Sequence, residues 1–205
     1  MNNTLPTRLF RLVLVAIFSL SQFAMAQTYK IELDKPDFDD LPSPDIGSGK
    51  KNFKPKEWLE VEVKFKIISS DKKEEFVDRV TVKWYVAAKI KEGGKTSVRV
   101  LEKEVNYVNV PVGEDIYASV YLSPSAVKRI SGYDNASKRM VESVGGEIRV
   151  KGSEAYKGSG FFSSKGKPKW WDNMPRYNKI PLRNKNETPF SFLWWDRYAE
   201  IEERR

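Results

Sequence analysis

In Trp58-Leu59-Glu60-Val61-Glu62-Val63-Lys64-Phe65-Lys66-Ile67-Ile68, hydrophobic and charged residues alternate without a break. Leu59, Val61, Val63, Phe65 and Ile67 share one side, while Glu60, Glu62, Lys64 and Lys66 share the other. A period of two is that of a β-strand, whose successive side chains point to opposite faces. One apolar and one charged face mark a strand of an antiparallel sheet, wet on one side.

The same alternation recurs on both sides of this stretch. Thr28 to Leu33 reads as a short first strand, followed by an extended acidic, proline-bearing loop over 34–57. After a polar turn at Ser69–Glu75, Phe76–Ile90 alternates through Val80, Val82, Trp84, Val86 and Ala88. Glu92-Gly93-Gly94-Lys95 then predicts a hairpin into a long strand over Ser97–Val110. Pro111-Val112-Gly113 turns the chain into a strand over Asp115–Leu122. There Ile116, Ala118, Val120 and Leu122 are expected inward, and Tyr117, Ser119 and Tyr121 outward.

Ser123-Pro124 has the form of an N-cap followed by proline at the first helical position, which predicts one short helix ended by Gly132. The residues leave open whether Ala136–Val144 extends this helical region. Gly145-Gly146 reads as a turn into a strand over Glu147–Lys151, and Tyr156–Ser163 as a further strand. The first half of Pro189–Tyr198 reads as a closing strand, and Glu200–Arg205 as a charged tail or short helix. Crossover helices are absent from this pattern, so the expected fold is all-β, an antiparallel sandwich. An immunoglobulin-like β-sandwich fits best, with Trp84 in the place of the core tryptophan that such domains carry on their third strand. The expected organisation is a signal peptide over 1–26, a strand and loop over 27–57, and a sandwich over 58–205 with an aromatic C-terminal segment.

Residues 1–26 have the layout of a cleavable export signal. Arg8 and Arg11 precede the apolar run Leu12–Leu20, and Ala24-Met25-Ala26 is a small-x-small cleavage site, placing the cut between Ala26 and Gln27. An apolar run of about nine residues is far short of the ~20 that span a bilayer, so the mature chain is expected to have no integral membrane span. Cleavage leaves 34 basic against 28 acidic residues, a formal charge of +6. These charges are interspersed rather than clustered, which excludes a nucleic-acid tail.

With no His and no Cys, the chain lacks the commonest general base, the commonest zinc ligands, a thiol nucleophile and any disulfide. Phosphate-binding glycine loops are missing. The acidic stretch Asp34–Asp45 lacks the ligand register of a calcium loop and is broken by prolines. No catalytic residue, cofactor or metal is therefore expected.

Four of the six tryptophans fall in two adjacent pairs, Trp170-Trp171 and Trp194-Trp195. On a strand, one member of each pair would face the core and the other solvent. The pairs could pack the edge of the sandwich, dock a partner protein, or form a platform for a sugar ring. The tail Lys167–Arg176 and the motif T-P-F-x-x-L-x-W-D-R-Y at Thr188–Tyr198, with the signal and the single β-domain, resemble a family of pilus-like envelope proteins of Verrucomicrobia of the Akkermansia type. Members of that family are encoded beside type IV pilus assembly components. The resemblance implies an immunoglobulin-like fold and a non-enzymatic role in the envelope, in the periplasm, at the outer membrane or at the cell surface. Its partners would be envelope or pilus-assembly proteins or further copies of the chain. A prepilin cleavage motif is absent, which points to pilus association rather than to a major pilin.

Overall fold

The computed structural model describes residues 28–45, 54–152 and 159–203. The export signal and its Ala26-Gln27 junction lie outside the described residues, as do 46–53 of the acidic loop.

Two antiparallel sheets face each other. The first contains β1 (Tyr29–Leu33), β2 (Asp37–Pro42), β3 (Glu57–Ser69), β6 (Ile116–Leu122) and β9 (Arg183–Asn184). Its order is β1-β3-β6-β9, with β2 alongside the other half of β3. The second has the order β10-β5-β4-β7-β8, built from β4 (Phe76–Glu92), β5 (Lys95–Pro111), β7 (Val141–Val150), β8 (Ser159–Ser163) and β10 (Glu200–Ile201). Each strand pairing is antiparallel. The first strand is split into β1 and β2, β3 pairs with β6, and β5-β4-β7-β8 forms the facing sheet. This is the immunoglobulin-like arrangement expected from the sequence.

The alternation places the core as anticipated. Leu59, Val61, Val63, Phe65 and Ile67 of β3 are all buried, opposite Val80, Val82, Trp84 and Val86 of β4. The β4–β5 hairpin closes at Glu92 and Lys95, with Gly93 and Gly94 both at positive φ (57° and 79°), the primed turn that matches strand twist. Helix α1 (Pro124–Ser131) starts where Ser123 accepts a hydrogen bond from Ala126 N–H, and it stops at Gly132 in the left-handed region. It buries Ala126, Val127 and Ile130.

Several expectations are corrected. The acidic stretch after β1 contains β2, paired to β3 from Asp37↔Glu62 to Pro42↔Glu57. Aspartates and a terminal proline suit an edge strand, because they deter pairing with other chains. Ala136–Val144 does not extend the helix: it holds one 3-10 turn, Lys138–Met140, and the first four residues of β7. Gly145-Gly146 is not a turn but the middle of β7, where Gly145 pairs with Tyr85 and Gly146 with Trp84. The ring of Trp171 fills the place of a Gly145 side chain and that of Phe162 the place of a Gly146 side chain. Glycine is needed there for close approach, not for bending the chain.

The C-terminal segment also departs from expectation. Pro189–Tyr198 forms no strand, and Glu200–Ile201 forms one, on the edge of β5. Residues 164–203 instead make an arm that visits both sheets. It hydrogen-bonds to Val100 of β5 through Pro175 O and Tyr177 N–H, pairs Arg183-Asn184 with β6, and bridges Tyr198 to Tyr117 before returning to β5. The arm thus covers the outer edges of β5 and β6, which would otherwise present unpaired backbone groups.

Candidate functional site

The outward residues of β3 meet those of β2 in a register that sets acid against acid. Asp37 lies opposite Glu62, and Asp39 opposite Glu60. Directly opposed like charges destabilise a sheet, so groups from elsewhere must offset them. Lys138 reaches Asp37 at 3.3 Å, and Arg197 of the arm pairs with Glu62. The Arg197 guanidinium also lies 3.7 Å from the centre of the Tyr117 ring.

Glu60 is only 6 % exposed. Tyr121 donates its hydroxyl proton to Glu60 Oε1 at 2.5 Å, and accepts one from Ser119 at 2.9 Å. The Tyr198 hydroxyl lies 3.1 Å from Glu60 Oε1 and also bonds Glu62. One hydroxyl has one proton, so Tyr198 cannot donate to both carboxylates at once. Burial pushes the Glu60 carboxyl up, and the nearby Glu62 charge adds to this against the opposing effect of the tyrosines. Burial likewise raises Tyr121 and Tyr198, reinforced by the charge on Glu60.

A carboxyl whose folded-state pKa is raised stabilises the fold below the ordinary glutamate range, and that contribution is lost as pH rises through the raised value. Glu60→Gln retains an acceptor for the tyrosines without the buried charge. The variant is therefore expected to match the wild type in acid and to exceed it in stability towards neutral pH, measured by urea unfolding across that range. A variant less stable than the wild type at neutral pH would show that the ionised carboxylate's hydrogen bonds outweigh its burial.

The arm builds the other wall. Phe190 is 1 % exposed and stacks on Tyr121 at 5.5 Å and on Trp194 at 6.2 Å. The outward-facing Tyr121 and Ser119 are consequently buried, contrary to the expectation of a wet face. Lys185 is buried as well. Its Nζ donates to Leu193 O at 2.5 Å and lies 4.9 Å from the Tyr198 ring centre, and burial lowers its pKa. This bond ties the 190–195 loop to the buried Lys185, and within the loop Phe190 packs inward while Phe192, Trp194 and Trp195 are exposed. Trp194 has a positive φ of 51°, unusual for a bulky residue, and is half exposed; Trp195 and Phe192 are 58 % and 83 % exposed. Between this knuckle and the sheet lies a cavity of about 180 Å³, lined by Asp37, Asp39, Glu60 and Glu62 and by Trp194 and Tyr198.

The two tryptophan pairs thus have different fates. Trp171 is buried against the outer face of the second sheet, stacked on Tyr85 at 4.7 Å and 11°. Trp170 is half-buried, edge-on to Trp171 and hydrogen-bonded to Ser163. Trp194 and Trp195 both face solvent, because a 3-10 turn does not alternate as a strand would. Glu60, Glu62, Asp37, Asp39, Arg197 and Tyr198 escaped the sequence reading. The alternation in β3 marks two of them as outward, but only the β2 register and the path of the arm bring the six together. Among the described residues, no three acidic side chains converge closely enough to hold a metal ion.

A family model matches residues 22–205 of the chain. A crystal structure of a protein from Akkermansia muciniphila superposes with a TM-score of 0.78 at 35% sequence identity, covering 87% of this chain and 96% of that one. The chain belongs to that protein's family. The range matched by the family model spans both sheets and the arm. No curated protein matches. Among the described residues, no helix is long and apolar enough to cross a membrane.

Proposed function

We infer that this chain is a non-enzymatic docking module of the exported cell envelope, associated with pilus or other envelope assemblies. The observation that carries this is the knuckle Phe192, Trp194 and Trp195, a group of large exposed aromatics on a loop held in place by Lys185 and Phe190. Aromatic side chains on a rigid support are the usual anchors of protein interfaces, since they bury much area at little entropic cost. The export signal, the family membership and the resemblance to pilus-like envelope proteins support the same reading. Covered edges on β5 and β6 favour a side-chain interface over strand exchange at those edges.

Affinity capture from the native envelope tests this. The wild-type chain should retain an envelope or pilus-assembly partner, and Trp194→Ala/Trp195→Ala should lose it by about tenfold or more, the cost of removing one interface anchor. Equal capture by the double variant would remove the knuckle as the docking surface. The alternative of a carbohydrate platform now depends on Trp194 and Trp195, since Trp171 is buried. A glycan array probed with the wild type and the same double variant separates it from the protein-docking reading.

A further inference from the structure

We propose that Glu60 holds a proton that latches the turn bearing Trp194 and Trp195 onto β3, and that losing this proton unseats the aromatic knuckle. The proposal rests on the docking reading above and names a pH-dependent control of that same surface.

Counting protons along the hydrogen-bond chain is the first argument. Ser119 donates to Tyr121, and Tyr121 donates to Glu60 Oε1 at 2.5 Å. The Tyr198 hydroxyl meets Glu62 Oε2 and, at 3.1 Å, Glu60 Oε1. Its single proton serves Glu62, the closer of the two. The other contact, oxygen to oxygen at hydrogen-bond distance, then needs a proton that Glu60 must supply. A neutral Glu60 does both things asked of Oε1, accepting from Tyr121 and donating to Tyr198. An ionised Glu60 has nothing to donate, and its lone pairs face those of Tyr198.

The groups around Glu60 favour the same state. Its own strand carries Glu62, which is committed to Arg197 of the arm. β2 sets Asp39 directly opposite Glu60, with Asp37 opposite Glu62 and paired to Lys138. From β6 come the hydroxyls of Tyr121 and Ser119. From the arm, Lys185 is the nearby cation, but its Nζ donates to Leu193 O. Burial raises the Glu60 carboxyl and the Tyr121 and Tyr198 hydroxyls alike, so of these three Glu60 gives up its proton first. Its bond to Tyr198 is therefore present below the raised value and lost as pH climbs through it.

Geometry couples this proton to the knuckle. Trp194 is the N-cap and Tyr198 the C-cap of the 3-10 turn Trp195–Arg197. Arg197 N–H donates to Trp194 O and Tyr198 N–H to Trp195 O, so a displaced Tyr198 carries both tryptophans with it. Tyr198 and Arg197 tie this turn to β3, and hydrogen bonds of 3-10 geometry are weak enough for it to be remodelled. Phe190 on Tyr121 before the turn and β10 on β5 after it keep the arm attached while the turn shifts. Such a turn is the element that a pH switch needs.

Fluorine NMR of the chain carrying fluorinated tryptophan tests this from roughly pH 4 to 9, a range that brackets a raised carboxyl. Trp194→Phe and Trp195→Phe assign the two resonances, and Glu60→Gln assigns Glu60 in a titration of isotope-labelled glutamate carboxyls. Glu60 is expected to titrate above the ordinary glutamate range, and both tryptophan resonances to shift with its midpoint. In Glu60→Gln, whose amide accepts from Tyr121 and donates to Tyr198, they should hold their low-pH positions throughout. In Tyr198→Phe they should stay near the high-pH positions of the wild type. Envelope capture by the wild type should fall about threefold or more across the midpoint, the size of one lost hydrogen bond, and stay level in Glu60→Gln. Tryptophan shifts that persist in Glu60→Gln would assign the transition to Lys185, which burial lowers, and overturn the latch. Resonances that ignore the Glu60 midpoint would overturn it too, as would wild-type capture that is level with pH, which leaves the docking role standing. No capture at any pH, with the resonances following Glu60, would instead count against the docking role alone.

Discussion

Replacing Trp84 with alanine is expected to lower the unfolding free energy by about 3–5 kcal/mol, the usual cost of deleting a buried aromatic. Trp84 is fully buried at the centre of β4, edge-on to Phe162 with ring centres 5.1 Å apart, and packed between the two sheets. Domains of this architecture often tie their sheets with a disulfide beside this tryptophan, but the chain has no cysteine, so packing alone joins them here. Against a total of roughly 5–15 kcal/mol, such a loss leaves a marginal fold. Equilibrium urea unfolding of the two proteins measures it; a loss under about 1 kcal/mol would mean that Phe162 and its neighbours collapse into the vacated space. Trp84→Phe should cost less than alanine for two reasons. It keeps most of the ring, and it removes the indole N–H, which has no hydrogen-bond partner among the described residues.

Gly146→Ala is expected to be the more severe of two adjacent substitutions, costing about 3 kcal/mol, the upper end of ordinary overpacking. A methyl group there would overlap the Phe162 ring and lie 2.5 Å from Lys83 O. The carbonyl belongs to the strand paired with β7, so it cannot yield without disturbing the ladder, and the Phe162 ring could move only by giving up its edge-on contact with Trp84. At Gly145 the closest obstacle is the ring of Trp171, a side chain of the arm, with Phe162 O at 3.0 Å. Gly145→Ala should therefore displace Trp171 from Tyr85 at a smaller cost. Near-ultraviolet circular dichroism would show the lost stacking, and thermal unfolding the ranking of the two variants. If both shift the melting temperature equally, the distinction between a yielding ring and an unyielding backbone fails.

The glycine pair also shows where sequence reasoning reaches its limit. Two adjacent glycines are a local turn signal, and nothing nearby in sequence indicates that Phe162 and Trp171 occupy their missing side chains. Alternation places Tyr121 and Ser119 on the outer face of β6 but carries no sign that they are buried, because Phe190, nearly 70 positions on, stacks on Tyr121. The acidic stretch concealed β2, since aspartate is a poor strand former and its pairing is supplied by β3.

By itself the sequence determined which residues face the core in β3, β4 and β6, where the hairpin and the helix begin and end, and that no disulfide or histidine chemistry is available. These properties are local: alternation, turn chemistry and capping act over a few residues, and composition needs no geometry. Only the tertiary structure decided what covers an outward face. It alone set Asp37 against Glu62 and Asp39 against Glu60, buried Trp171, and left Trp194 and Trp195 exposed beside the cavity. A period of two states which side a residue takes, whereas burial on the outer side depends on the path of an arm whose contacts are distant along the chain.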